Sequence, residues 1–276
     1  MGITLRHNII RGNISIGTPP VPAGLLSPAQ IFGANYYDDW DAADLALTNG
    51  DPVSSWVSKG LNGATMVAGS GNEPTYNTST YTFPTVESNG TTDFMQVLSS
   101  VSMYNFLKNE QGFVCFIARK KSDSNGGLLS NVNLLIFSQR RGIYYGAAVS
   151  SSGVGQRYRQ IIGADNNLFF VNNIPSGTYT TTDLDCIYMT NDCNNPIDAD
   201  RGIININFGA DEKNNTLSIR TSTSDAVGNL TLFKDLGSLY GDWYLARLII
   251  SDTIPTTQQL TDLQTYLTTT YGTFPI

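Results

Sequence analysis

Carboxylates are the residues in this sequence best suited to chemistry, and they fall in two clusters. Asp183, Asp185, Asp192 and Asp198 lie close together in the chain with Asn194, Asn195 and Asp200 among them, and Asp38, Asp39, Asp41 and Asp44 form the second group. Loops rich in Asp and Asn suit calcium, a hard cation that takes about six to eight oxygen ligands. Asp183, Asp185, Asp192 and Asp198 are therefore the candidate metal ligands, and calcium is the one cofactor the sequence suggests. Neither cluster has EF-hand spacing, and solvated turns are the plainer use of such loops. Asp41 also stands where a helix cap is expected. The candidate glycan contact is Arg157-Tyr158-Arg159, an aromatic flanked by two cations, read as part of a glycine-rich loop. Tyrosines in strands more often serve as core or cross-strand packing.

Catalytic arrangements are not visible. A Ser–His–Asp site needs a histidine in a pocket, and the single histidine, His7, lies near the chain start. Glycoside hydrolysis needs two carboxylates across the bond, whereas Glu73, Glu87, Glu110 and Glu212 are isolated from one another. Gly126-Gly127 and Gly153-Val154-Gly155 read as turns rather than phosphate-binding loops. The expectation is a protein that is not an enzyme. Of three cysteines, Cys115 sits in an apolar run, while Cys186 and Cys193 are spaced so that they can bridge. An odd count without a recognisable secretory leader points to synthesis in a reducing cytoplasm, and zinc lacks a close cysteine pair.

The elements that must position these residues read as strands. The chain has 276 residues, and only 14% are charged. That composition, rich in Gly, Asn, Ser and Thr, suits many short strands joined by turns. Strand candidates include Tyr36–Trp40, Phe113–Arg119, Leu134–Ser138, Ile143–Val149, Leu168–Val171, Cys186–Thr190, Ile203–Phe208, Leu217–Arg220 and Trp243–Ser251. Asn89-Gly90 reads as a hairpin turn between two short strands. After Trp243–Ser251, Thr256 with Gln259 forms a capping box, Leu260, Leu263 and Leu267 recur at helical spacing, and Gly272 ends the helix. Trp40, Trp56 and Trp243 are expected in the core. Ahead of all this, Ile3, Leu5, Ile14 and Ile16 alternate with polar residues, and a proline-rich stretch follows them. Residues 1–30 therefore read as an extended arm and linker, with residues 31–276 as one domain. A net charge of −7 gives no footprint for nucleic acid, and no segment has the length of apolar sequence a membrane helix needs.

Tyr37–Asp44, Asp51–Trp56, Asn62-Gly63, Pro74–Tyr76 and Val86–Val97, followed at the far end by Gly241–Ser251 and its helix, resemble the opening and closing of laminin-G-like, concanavalin A-like lectin jelly-roll domains. The resemblance implies an all-β antiparallel jelly-roll β-sandwich with a short C-terminal helix, and a rim of the kind that often holds one calcium. Similar domains occur in bacteriophage virion proteins. On that analogy the expected role is a non-enzymatic virion component, made in the host cytoplasm and oligomeric in its assembly. Ile3, Leu5, Ile14 and Ile16 would then dock the arm on other capsid or tail proteins by strand pairing. The alternative is a carbohydrate-binding module for a host cell-surface glycan.

Overall fold

The structure is a computed structural model. It describes residues 24–121, 126–131, 142–149, 156–164, 167–172, 183–197, 200–213, 225–235 and 237–274. In chain order the elements are α1 (Pro28–Phe32), β1 (Tyr36–Asp41), β2 (Ser55–Val57), β3 (Thr65–Val67), β4 (Thr75–Asn77), β5 (Thr85–Glu87) and β6 (Met95–Val97). Next come α2 (Phe106–Asn109), β7 (Gln111–Lys120), β8 (Gly126–Ser130), β9 (Gly142–Val149), β10 (Gln156–Ala164), β11 (Asn167–Asn172) and β12 (Asp185–Asp192). The last are β13 (Gly202–Ile206), β14 (Glu212–Lys213), β15 (Thr231–Leu232), β16 (Trp243–Ser251) and α3 (Thr257–Tyr271).

The strands form two antiparallel sheets that pack as a sandwich. The first runs β14-β13-β12-β7-β16-β5-β4, with β1 also paired to β16; the second runs β11-β10-β9-β8-β15-β6-β3-β2. Register fixes which residues share a face, because neighbours along a strand point to opposite sides. In the second sheet Met95, Leu232, Leu129 and Tyr145 are successive cross-strand partners, and all four are fully buried. They face Val114, Phe116, Leu245, Leu248 and Ile250 of the first sheet, and Trp40, Trp56 and Trp243 fill the same layer, as expected.

A second apolar layer lies on the other face of the first sheet. There Phe113, Cys115, Ile117, Cys186 and Ile249 are covered by α1 and α3 through Ile31, Phe32, Leu263 and Leu267. Burying each such aliphatic side chain contributes about 1.5–3 kcal/mol. The Thr256–Gln259 capping box forms as the sequence predicts, and Gly272 takes a φ of +90° at the helix end. An unpredicted capping box, Ser27 with Gln30, starts α1, and Gln259 Nε2 donates to the Ile31 carbonyl at 2.7 Å. The described end of the expected arm, residues 24–30, therefore packs on the sandwich: Pro28 is buried and Leu25 touches the helix-side core. Ile3, Leu5, Ile14 and Ile16 lie outside the described residues, as do the strand candidates Leu134–Ser138 and Leu217–Arg220.

Two turn expectations are corrected. Asn89-Gly90 does not close a hairpin, because β5 belongs to the first sheet and β6 to the second. The Asn89 side chain instead accepts from the N–H groups of Thr91, Thr92 and Asp93, shaping a crossover between sheets. Gly126-Gly127 opens β8 rather than a turn: a Cβ on Gly126 would lie 2.5 Å from Gly241 Cα, and one on Gly127 3.0 Å from the Lys234 carbonyl carbon. Glycine is needed there because another segment crosses directly over the strand. The cysteines are free, and Cys186 and Cys193 cannot bridge, since one faces the helices and the other the space between the sheets.

One irregularity in β16 sets the charge layout. Its register with β7 shifts between Leu245 and Arg247, so Ala246 is a bulged residue. Simple alternation would put Arg247 on the side of Trp243 and Leu245, inside the apolar layer. The bulge turns it to the helix side, where β1 places Asp41 opposite it and Asp39 two pairs along, on the same face. Arg247 Nε donates to Asp39 at 2.8 Å and Nη2 donates to the other Asp39 oxygen, while Nη1 lies 3.2 Å from Asp41 and donates to Tyr266 Oη on α3 at 2.8 Å. Tyr36 also donates to Asp39. Removing one partner of such a set leaves charges buried and uncompensated. Arg247→Met is expected to lower unfolding free energy by about 3–5 kcal/mol, read as a drop in the urea midpoint; an unchanged midpoint would show that the site is wet.

Candidate functional site

The sequence-predicted sites can now be placed. Asp185 and Asp192 stand at opposite ends of β12, an eight-residue strand whose ends are about 23 Å apart at the usual rise per residue. They cannot ligate one ion. Asp185 instead lies 3.7 Å from the Arg119 guanidinium and accepts from Asn207 Nδ2 at 3.0 Å. Asp192 accepts from Asn194 N and Asn195 Nδ2 in the turn that follows. Asp183 is exposed, and its carbonyl accepts from Arg119. Asp198 lies outside the described residues. Among those residues no group of three His, Cys, Asp or Glu is arranged to hold a metal ion.

Arg157-Tyr158-Arg159 is not on a loop. These residues are in β10, paired with Ala148, Ala147 and Gly146 of β9. The glycines nearby misled the sequence reading; the run from Gln156 through Ile162 has the composition of a strand.

The second aspartate cluster is where structure and surface meet. Trp40 Nε1 donates to the Trp56 carbonyl and Trp56 Nε1 to the Asp41 carbonyl, both at 3.2 Å. This reciprocal pair staples β1 of the first sheet to β2, the edge of the second. Asp41 caps the 3₁₀ turn Ala42–Asp44 by accepting from Ala43 N at 3.0 Å, as the sequence suggests. The chain beyond that turn runs past β2 and leaves an open groove of about 450 Å³. Leu45, Leu47, Pro52 and Val57 supply its apolar lining; Ser54, Ser55, Asp44 and Lys59 supply polar groups. The Lys59 ammonium bridges Asp41 at 3.1 Å and Asp44 at 2.9 Å. Asp44 is the one carboxylate among the described lining residues, so the paired acids of a hydrolytic cleft are not present in this groove.

Electrostatics explain how the groove wall holds its charges. Burial pushes the Asp41 carboxyl up, but the Arg247 guanidinium and Lys59 ammonium more than offset it and hold it below its usual value of 3.8. Asp38 goes the other way: burial raises its carboxyl despite hydrogen bonds from Asn62, Tyr104 and Ala64 N. For Asp41 the folded value lies below the unfolded one, so its stabilisation is present above 3.8 and disappears as pH falls through the folded value. Urea midpoints taken from about pH 6 down to about pH 2.5 are expected to fall more steeply for the unaltered protein than for Asp41→Asn, which starts lower. Equal slopes would remove Asp41 from the acid response.

A third arrangement, not found from sequence, is a cation between two rings. Lys234 Nζ lies 4.5 Å from the Phe94 ring centre and 4.6 Å from that of Tyr240, and the rings are 6.4 Å apart at 61°. All three residues are partly buried. The usable signal was local: Lys234 and Tyr240 flank an Asp-x-Gly turn. Phe94 could not be anticipated, being far away in the chain.

No family model matches the sequence, and no curated protein matches it. Solved structures do share its fold. A sialidase from Trypanosoma rangeli in complex with sialic acid aligns at a TM-score of 0.54 and 14% identity, over 94% of this chain and 37% of that one. An arabinofuranosidase complexed with arabinofuranosyl-α-1,2-xylobiose aligns at 0.56 and 11% identity, over 89% of this chain and 65% of that one. The chain thus spans less than two thirds of either structure's length. These likenesses define the fold: a sandwich of two antiparallel β-sheets with a C-terminal helix, shared with regions of glycosidases.

Proposed function

We propose that this chain is a carbohydrate-binding module that does not itself catalyse. The observation that carries the reading is the groove beside β2, where apolar and polar groups are interleaved on a rigid wall. Sugar rings present C–H faces and hydroxyl edges together, so a site for them needs apolar surface with a few fixed polar groups. Leu45, Leu47, Pro52 and Val57 offer the first; Ser54, Ser55 and the Lys59–Asp44 pair offer the second. The wall is pre-organised by the paired tryptophans, which lowers the ordering cost of binding. Fold likeness to a sialidase and an arabinofuranosidase, both solved with sugars bound, supports carbohydrate as the ligand class. A lone groove carboxylate supports binding without hydrolysis.

A virion role was the first expectation from sequence, and a glycan-binding module its alternative. The solved structures that share the fold favour the alternative, and the docking-arm residues, one of the grounds of the virion reading, lie outside the described residues. The test is a glycan array with the full chain, followed by calorimetry. Binding of a defined set of glycans at about millimolar affinity or better, near −4 kcal/mol, is expected. Ser55→Trp, which fills the groove from an exposed edge position, is expected to weaken groove ligands by about tenfold, about 1.4 kcal/mol. An array with no specific signal would overturn the reading.

A further inference from the structure

Five cations of the described structure lie within ion-pair distance of carboxylates. Lys59 pairs with Asp41 and Asp44, Lys121 with Glu87 and Asp242, Lys213 with Asp200, Arg119 with Asp185, and Arg247 with Asp39 and Asp41. Acids outnumber bases, 23 to 16, so an ammonium without an acid beside it is the exception. Lys234 has no ion-pair partner among the described carboxylates: its side chain meets the two rings, and its backbone bridges to Tyr240.

The position is built rather than incidental. Asp235 is fully buried, and its Oδ1 accepts from Gly237 N at 2.8 Å and Leu239 N at 3.0 Å, which locks the turn between Lys234 and Tyr240. Gly126 and Gly127 let that turn lie flat on β8, and Gly241 N donates to the Phe233 carbonyl at 2.7 Å to close it. Phe94 is fixed from the other side, with its N–H on the Asn72 carbonyl at 3.0 Å and Met95 beyond it anchored in the core. Aromatic faces hold a cation at a set point by their quadrupoles but accept none of its N–H donors as an oxygen would. The ammonium is therefore positioned, with no hydrogen-bond acceptor among the described protein groups.

We infer that Phe94, Lys234 and Tyr240 form a contact site for a carboxylate-bearing sugar, separate from the groove beside β2. The carboxylate takes charge-assisted hydrogen bonds from Lys234 Nζ, the apolar side of the sugar rests at the ring edges of Phe94 and Tyr240, whose facing sides the ammonium occupies, and the Tyr240 hydroxyl serves a sugar hydroxyl. This inference rests on the carbohydrate-binding reading and assigns it a charge preference. Uronic acids and nonulosonic acids such as sialic acid share this chemistry, and the probes separate them.

The experiment titrates the full chain with methyl glucuronide, methyl N-acetylneuraminide and methyl glucoside, read by saturation-transfer NMR and calorimetry. At least one acidic sugar is expected to bind about tenfold tighter than the neutral one, about 1.4 kcal/mol, and the preferred acid names the subclass. Lys234→Met keeps the stem between the rings and is expected to abolish that preference, while Lys234→Arg keeps most of it through a planar cation suited to aromatic faces. Raising salt from about 50 to about 500 mM should weaken the acid and leave the neutral sugar unchanged, a readout that needs no variant to fold. Equal binding of acid and neutral sugars, or an acid preference untouched by Lys234→Met, overturns the site and leaves the groove reading standing. Absence of binding by every sugar overturns both.

Discussion

The guanidinium of Arg247 is the contact on which the remaining architecture depends. It is buried beneath α3, donates to Asp39 of β1 and to a tyrosine of the helix, and pairs with Asp41. A charge in that layer is tolerable only if every partner arrives together. Strand β1 must therefore pair with β16 in one register, and α3 must lie with Tyr266 toward the sheet. Burial pushes the Arg247 guanidinium down, but Asp39, Tyr271 and Asp41 more than restore it. The same neighbourhood raises the Tyr271 hydroxyl, by burial and by Asp41. The network thus reads as a specificity device: it selects one docking of strand and helix among several that would bury similar apolar area.

From that anchor the order reaches the surface in two directions. Through Asp41 and the tryptophan pair it fixes the turn Ala42–Asp44 and hence the groove. Through β16 it fixes Trp243 and the crossing segment ahead of it, where Gly241 packs on Gly127. The groove and the ring-flanked lysine are thus two outlets of one rigid body. They differ in charge state in a way that suits different ligands: Lys59 is already neutralised by its neighbours, Lys234 is not.

How much could be read from the sequence follows from how local each feature is. The cap at Thr256 with Gln259, the Leu263 and Leu267 face, the Asp41 cap and the three core tryptophans depend on nearby spacing or on size, and all were legible. Asn89-Gly90 looked like a hairpin because turn chemistry is local, whereas the choice of sheet for the next strand is made by distant partners. Asp185 and Asp192 look adjacent in the sequence, but an extended strand holds them at opposite ends. Arg157–Arg159 looked like a loop because glycines stand near it, whereas the residues themselves form strand β10. Ser27 with Gln30 carries the same cap spacing as Thr256 with Gln259 and went unread, whereas Phe94 and the bulge at Ala246 left no local signal to act on.

The bulge has an evolutionary corollary. Ala246 and the arginine after it form a single inherited unit, since neither is tolerable without the other. Deleting the alanine alone would swing a cation into the layer between the sheets, and replacing the arginine alone would leave Asp39 and Asp41 facing each other without a counter-charge. Drift at this point of the chain must therefore pass through paired changes, and an insertion or deletion elsewhere in β16 is admissible only where it restores the same phase. Related chains, however far their surfaces have diverged, should keep the length of this strand more faithfully than they keep its residues.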